Sequence, residues 1–116
     1  MINTAGPGTI QGHTVECQAI EAVFGEHPHA HMNNSRSFIG YATGAAGPLE
    51  LAGNSPSFED YIVHTTINLY HLNPDCPLNN VVINELKGID KIDYILNNSC
   101  GMLGTNSMPV LKRFEK

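Results

Sequence analysis

Charged side chains, and cations above all, are scarce in this sequence. Asp, Glu, Lys and Arg make up 15% of the 116 residues, against about 25% in a typical soluble domain. We therefore expect part of the surface to contact other protein. Only six residues are Lys or Arg, five of them follow residue 86 among acidic residues, and the net charge is −5. The sequence offers no basic stripe for nucleic acid.

Long apolar runs are missing as well. No stretch approaches the roughly 18 continuous apolar residues that a membrane-spanning helix needs. The N-terminus has no basic region followed by an apolar run, so it does not resemble a secretory signal. The sequence predicts neither membrane insertion nor secretion.

Cysteines are few and show no paired spacing. Cys17, Cys76 and Cys100 form an odd set without a CxxC motif, which argues against a disulfide framework and against a zinc site. The sequence therefore predicts reduced thiols in a cytoplasmic protein.

The length allows one small domain, residues 1–116. Apolar residues recur with helical spacing from residue 13 to Gly25, a residue typical of helix C-caps. Residues 38–49 are small and almost uncharged, which favours a closely packed, buried helix start. Further strands are predicted at 1–5, 61–69, 81–83, 91–96 and 106–114. The order is strand, helix, strand, helix and then several strands.

Three motifs in a fixed order carry a family resemblance. They are Asn-Thr-Ala-Gly-Pro-Gly-Thr at 3–9, Asn-Ser-Arg-Ser-Phe-Ile-Gly-Tyr-Ala-Thr-Gly-Ala-Ala-Gly at 34–47 and Asn-Ser-Cys-Gly-Met-Leu-Gly-Thr-Asn at 98–106. The series resembles the C-terminal half of β-ketoacyl-acyl carrier protein synthases, the thiolase-fold condensing enzymes. The resemblance implies an α/β fold, a C-terminal half-fold in which a mixed sheet packs on the Gly/Ala-rich helix.

The resemblance also exposes departures at the positions of the family's chemistry. Ala5 and Tyr41 stand where the family has its two catalytic histidines, and Arg36 stands where it has a lysine. The family's nucleophilic cysteine lies in its N-terminal half, so we expect this chain to lack the nucleophile and to be inactive alone. Alanine offers no donor, and a tyrosine hydroxyl does not alternate as acid and base near pH 7 as imidazole does. We expect Tyr41 to be a core aromatic that fills the histidine space.

The remaining site residues follow from the same resemblance. The backbone N–H of Cys100 falls in the family's oxyanion turn, and we expect its thiol to be a small apolar group rather than a nucleophile. Glu16 and Arg36 are predicted to form a structural ion pair. The residues matched to the substrate pocket are Thr9, Gly101 and Met102.

Three histidines at alternate positions are a candidate metal site. His27, His29 and His31 would share one side of an extended segment. The family has a variable surface loop there and no metal, and the only carboxylate close in sequence is that of Glu26. We expect exposed histidines, no metal and no cofactor.

Three functions remain open at this point. The first is a β-ketoacyl-synthase-like protein of fatty-acid or polyketide biosynthesis, which performs acyl transfer and decarboxylative condensation on carrier-protein thioesters. The second is a non-catalytic partner similar to a chain-length factor. The third is a small interaction protein derived from a truncated condensing enzyme. The expected partners are acyl carrier protein and another ketosynthase chain or N-terminal half.

Overall fold

The computed structural model describes residues 1–25, 29–76 and 78–115. The helices are α1 (Ile10–Phe24), α2 (Arg36–Ile39), α3 (Ala46–Asn54) and α4 (Ser57–Asp60), with 3-10 turns at Thr43–Ala45 and Met102–Gly104. The strands are β1 (Ile2–Asn3), β2 (Met32–Asn33), β3 (Ile62–Val63), β4 (Lys87–Gly88), β5 (Tyr94–Asn97), β6 (Ser99–Cys100), β7 (Asn106–Ser107) and β8 (Val110–Lys112). None of the helices in these ranges is long and apolar enough to cross a membrane.

A mixed sheet in the order β2–β1–β5–β8 is the framework of the molecule. β1 lies parallel to both of its neighbours, and β8 runs antiparallel to β5. The register places Asn3 opposite Asn33 on one side and opposite Asn97 on the other. The predicted α/β fold with a mixed sheet is confirmed, and the carboxyl ends of three parallel strands meet at one edge.

Helix α1 is capped by Thr9 at its start and by Gly25 at its end. Thr9 has extended backbone, and its hydroxyl accepts the amide of Gly12 at 3.1 Å, which is an N-cap. Gly25 ends the helix with a φ of 80°, a conformation that costs glycine little, and its N–H donates to the carbonyl of Glu21. The helix predicted from periodicity is confirmed, and its inward face buries Cys17 and Ile20 against the sheet.

Two apolar clusters flank the sheet. One contains Ile2, Met32 and Leu78 together with the buried residues of α1. The other contains Val63, Val82, Ile92 and Ile95. The strand predicted at 61–69 is reduced to β3, and the one predicted at 106–114 is divided into β7 and β8. Residues 81–83 form no strand and pair only through isolated bridges.

The expectation of a buried helix start at residues 38–49 is wrong for most of the segment, because α3 begins only at Ala46 and Ala46 is the one buried residue among them. Ala46, Glu50 and Asn54 of α3 point into the protein, whereas Leu49 on the opposite face is about half exposed. A Cβ at Gly47 would lie 3.0 Å from the Oγ of Ser99, so the missing side chain allows α3 to approach β6 closely.

The expectation of reduced thiols is wrong for two of the three cysteines. Cys17 on α1 and Cys76 in the loop after residue 70 form a disulfide, and Cys100 is free. The pair is 59 residues apart in sequence, so spacing gave no sign of it. The fold brings the two Cα atoms to 5.5 Å, a separation that a disulfide spans readily.

Candidate active site

Asparagines line the carboxyl edge of the sheet. Asn3, Asn33 and Asn97 are the last residues of their strands, lie side by side in register and are buried. Buried amides need hydrogen-bond partners. Their partners therefore determine how the loops beyond this edge are held.

On the α3 side of the sheet, the buried carboxylate of Glu50 bonds to both an asparagine and an arginine. One oxygen of Glu50 accepts a hydrogen bond from the Nδ2 of Asn3 at 3.2 Å, and the other forms an ion pair with the Nε of Arg36. The same Nδ2 of Asn3 donates to the Oδ1 of Asn97 at 2.7 Å. Glu50 is fully buried and Arg36 nearly so. A buried charge pair is tolerated when its remaining polar atoms are also bonded.

Ser35 and Asn54 extend this set of bonds to the start of α2. The amide and the hydroxyl of Ser35 both donate to the Oδ1 of Asn3, at 3.0 and 2.9 Å. The Nδ2 of Asn54 donates to the Oγ of Ser35 at 2.7 Å, and Asn33 donates to the Oδ1 of Asn54 at 2.8 Å. These bonds fix the loop that carries Arg36.

A second buried carboxylate holds the opposite side of the edge. Glu16 of α1 accepts the backbone amides of Ala5 at 2.6 Å and Gly6 at 2.8 Å. It also accepts the Nδ2 of Asn98 at 2.6 Å. Glu16 thus joins the loop after β1 to the loop after β5.

The predicted ion pair between Glu16 and Arg36 is therefore wrong. Arg36 pairs with Glu50, which lies on the next helix, and Glu16 is engaged by backbone and side-chain amides. The resemblance pointed only to Glu16 as the partner of Arg36. Only the three-dimensional placement of α3 shows that Glu50 lies beside Arg36.

The two positions that the resemblance assigns to histidines differ sharply in environment. Ala5 is completely buried. Tyr41 is 53% exposed, and the guanidinium of Arg36 lies 4.7 Å from the centre of its ring. The interpretation of Tyr41 as a core aromatic is wrong, because about half of the residue is exposed and its ring packs on the buried Arg36 guanidinium from outside. Neither position supplies an imidazole.

The register of the β6–β7 hairpin indicates that the Cys100 amide points away from it. The N–H of Gly101 donates to the carbonyl of Thr105 at 2.6 Å. This makes the neighbouring Cys100–Asn106 pair a non-hydrogen-bonded one, in which the amides point away from the partner strand. On the other side, the amides of Leu96 and Asn98 donate to Met1 and Asn3. Amides two residues apart in a strand point to the same side, so we expect the Cys100 amide to point to the β1 side, as those of Leu96 and Asn98 do.

The surroundings of the Cys100 thiol disfavour its ionised form. Burial raises its pKa, and the carboxylate of Glu16 raises it further, whereas Arg36 opposes the shift. A raised pKa leaves less thiolate at neutral pH, and thiolate is the reactive form. A role for the backbone N–H of Cys100 as a donor remains a prediction.

The first groove lies between α1 and the segment after β3 and has a volume of about 410 Å³. Arg36, Glu16 and Asn34 provide polar groups in its lining. Its apolar lining consists of Ile20, Ile67, Leu69, Leu72, Leu78 and Val81. The combination suits a ligand with a polar head and an apolar tail.

The second groove, of about 430 Å³, lies between α3 and the β6–β7 hairpin. Cys100 and Gly101 line it, and Arg36 lines both grooves. The structure brings Gly101, but not the other two predicted pocket residues, to a groove wall. Thr9 caps α1, and Met102 projects into solvent from the hairpin turn. A pocket role for these three residues remains a prediction.

Sequence reasoning missed the residues that organise the edge. They are Asn3, Asn33, Glu50, Asn54 and Asn97. The available signal was an asparagine within the predicted strand 1–5, another directly after the predicted strand 91–96, and an isolated Glu in an otherwise uncharged helix. Polar residues at strand ends commonly mark a site.

No metal-binding cluster is present in the part of the chain that the structure describes. His27 and Glu26 lie outside the described residues. His31 is half-buried, and burial, followed by the charges of Lys87 and the Met1 amino group, lowers its pKa.

Comparison with known proteins places this site in a family. Residues 1–70 match the profile described as beta-ketoacyl synthase, C-terminal domain. The chain is 35% identical over 115 residues to a 3-oxoacyl-[acyl-carrier-protein] synthase 2 of Staphylococcus aureus. It is 33% identical over 114 residues to the chloroplastic 3-oxoacyl-[acyl-carrier-protein] synthase I of Hordeum vulgare. Each match covers 98% of this chain, but only 27% and 24% of those relatives.

Solved structures give the same result. An ishigamide ketosynthase/chain length factor superposes with a TM-score of 0.91 at 31% identity, and a beta-ketoacyl synthase from Burkholderia phymatum with 0.88 at 28%. A type II ketosynthase in complex with its acyl-carrier protein gives 0.81 at 27%. Each alignment covers 98% of this chain and 27–28% of the other. The chain spans about a quarter of the length of its relatives, and it belongs to the β-ketoacyl synthase family, matching the C-terminal domain.

Proposed function

We propose that the protein handles acyl thioesters of acyl carrier protein in fatty-acid or polyketide biosynthesis. The family reaction is acyl transfer followed by decarboxylative condensation. In this proposal the described residues contribute a groove wall for the acyl chain and one oxyanion donor. The observation that supports it is the pairing of the β6–β7 hairpin, in which the amide of Gly101 rather than that of Cys100 donates across to the other strand.

The amide at Cys100 suits the charge that develops in acyl transfer. When a thioester carbonyl is attacked, its oxygen gains negative charge, and a preorganised N–H donor stabilises that charge. A backbone donor does not depend on the side chain, so cysteine in place of the family's aromatic residue retains it. The bonds of Glu16 to Ala5, Gly6 and Asn98 hold both flanking loops in place.

Decarboxylative condensation needs further hydrogen-bond donors besides this backbone N–H. The family's two histidines hydrogen-bond to the developing enolate, and losing one such donor typically costs about 100-fold or more in rate. Ala5 provides no donor, and Tyr41 is turned toward solvent under Arg36. We therefore propose that these residues bind and orient an acyl group without catalysing condensation.

A chain-length-factor-like role is the second candidate. Such partners pair with an active ketosynthase and do not carry out the chemistry themselves. The replacement of both histidines favours this role, as does the similarity to the ishigamide ketosynthase/chain length factor. Its partners would be a catalytically complete ketosynthase chain and acyl carrier protein. Co-purification with a full-length ketosynthase would favour it over an independent enzyme.

The proposed substrates also suggest a compartment. If the protein meets acyl carrier protein where fatty acids or polyketides are made in the cytoplasm, it works in a reducing environment. Disulfides in such a compartment are usually transient or redox-sensing. The Cys17–Cys76 bond then requires a role beyond static stabilisation.

Photo-crosslinking tests the proposal. Acyl carrier protein that bears a photoreactive acyl chain is mixed with the protein and irradiated, and the labelled peptides are mapped by mass spectrometry. We expect labels on the first groove. Leu72→Trp narrows this groove and should reduce labelling at least about fivefold. Tyr70→Trp is the matched control, because Tyr70 is exposed and lies outside the groove lining. Labelling that is absent, or equal in both variants, would overturn the proposal.

A further inference from the structure

The two cysteines of the Cys17–Cys76 disulfide both line the first groove. Cys17 belongs to α1, which also supplies His13, Glu16 and Ile20 to the lining. Cys76 belongs to the loop after residue 70. The covalent bond therefore limits how far this loop can move from α1.

Apart from the disulfide, the loop is held at its ends, where Asn84 donates to the carbonyl of Leu69 and the amide of Leu78 donates to the carbonyl of Cys76, each at 2.8 Å. Residues 70–75 are all exposed, including Tyr70 and Leu72. The hydrogen bonds described for Asp75 and the amide of Cys76 both run to Asn73, within the loop itself. Exposed segments with few buried contacts open at low free energy. The disulfide is thus a principal link between this loop and α1.

The two sulfurs differ in accessibility. Cys17 is buried in the cluster between α1 and the sheet, whereas Cys76 is half-buried at the end of the exposed loop. Exchange requires an attacking thiolate to reach one sulfur. The position of Cys76 offers that approach from the solvent side.

We propose that Cys17–Cys76 is a reversible redox lock on this groove. A dithiol reductant of the thioredoxin class attacks the sulfur of Cys76, forms a mixed disulfide and releases Cys17 as a thiolate that takes up a proton. The second thiol of the reductant then displaces Cys76. The reductant leaves as a disulfide, and two electrons and two protons pass to the cysteine pair. The oxidised protein has a fixed groove, and the reduced protein has a loop free to swing away from α1.

The lock concerns the groove of the proposed function, but it does not require an acyl ligand. Leu78, which follows the loop, stays in the core cluster with Ile20 and Met32. We therefore expect reduction to release the loop while the sheet persists. A failure of the lock and a failure of acyl binding would be seen in separate experiments.

Hydrogen exchange read by mass spectrometry tests the lock. Oxidised protein should yield a peptide crosslinked through Cys17 and Cys76, and reduction by dithiothreitol should add 2 Da. Deuterium uptake by residues 69–75 should then rise at least about tenfold, while uptake by β1 and β5 stays unchanged. Reoxidation should restore the protection.

Two cysteine variants serve as controls. Cys76→Ser should show the fast loop exchange with or without reductant. Cys100→Ser keeps the disulfide and should behave as the unmodified protein does. The lock is overturned if no crosslinked peptide forms, if reduction leaves loop exchange unchanged, or if reduction unfolds the sheet together with the loop.

Discussion

Arg36 and Glu50 form a buried ion pair that ties the start of α2 to the middle of α3. The second oxygen of Glu50 holds Asn3, so the pair also anchors the central strand of the sheet. Arg36 faces both grooves, and its guanidinium covers the ring of Tyr41. Arg36 thus contacts both the buried Glu50 and the partly exposed Tyr41.

Removal of Glu50 should strongly destabilise the fold. Glu50→Ala leaves the Arg36 charge buried without its partner, which typically costs about 3–5 kcal/mol. Arg36→Lys keeps a cation but loses the guanidinium geometry, so a smaller loss is expected. Urea unfolding measures both. Lys91→Ala removes an exposed ion pair with Asp93 and should leave the midpoint unchanged. Equal effects of Glu50→Ala and Lys91→Ala would contradict this account.

The Cys100 thiol should be slow to react at neutral pH. Burial and the negative charge of Glu16 raise its pKa, so the protonated form dominates. The pH dependence of alkylation, followed by mass spectrometry on oxidised protein, should have its midpoint above that of a free-cysteine peptide. An acyl-thioester analogue should leave no stable adduct on Cys100. A midpoint below the peptide's, or an adduct lost in Cys100→Ser, would show a nucleophile.

His31 should make the protein less stable in mild acid. Its pKa in the folded chain is lowered, first by burial and then by Lys87, so the unfolded chain binds its proton more readily. Stability is therefore fully present above the unfolded pKa of about 6.5 and declines as the pH falls below it.

Urea midpoints measured from pH 7.5 down to pH 5 test this dependence. His31→Gln should flatten the decline, and Lys87→Gln should reduce it in part, because one positive neighbour of His31 is removed. An unchanged slope in His31→Gln would assign the acid sensitivity to other groups.

The chain should associate through the exposed face around α2 and α3. Phe38, Ile39, Tyr41 and Leu49 are each about half exposed there. Contiguous apolar surface of this kind marks an interaction site. Analytical ultracentrifugation should detect dimers or larger species at high micromolar concentration, and Phe38→Glu should shift them toward monomer. A monodisperse monomer that binds no dye for exposed apolar surface would contradict the prediction.

The sequence predicted the parts of the fold that depend on local signals. Helix α1 has a capping threonine, helical periodicity and a terminal glycine, and all three act within a few residues of the helix. The motifs at 3–9, 34–47 and 98–106 identified the family because their order and composition are specific. These features need no knowledge of the tertiary structure.

The pairings within the site could not be predicted, since they join distant segments. Arg36 was predicted to pair with Glu16, whereas the packing of α3 places Glu50 beside it. Cys17 and Cys76 lie 59 residues apart without a recognisable spacing. Tyr41 occupies a histidine position of the family, yet its ring lies over Arg36 at the surface rather than in the core.

The central claim is that these residues hold an acyl thioester and offer an oxyanion donor but do not catalyse condensation. The direct test incubates the purified protein with acyl- and malonyl-carrier-protein thioesters and follows β-ketoacyl product by mass spectrometry, with a complete ketosynthase as positive control. We predict no product above the protein-free background, because Ala5 and Tyr41 replace the proton-transferring imidazoles. Carbon–carbon bond formation by the purified protein, lost in Tyr41→Phe, would contradict the account.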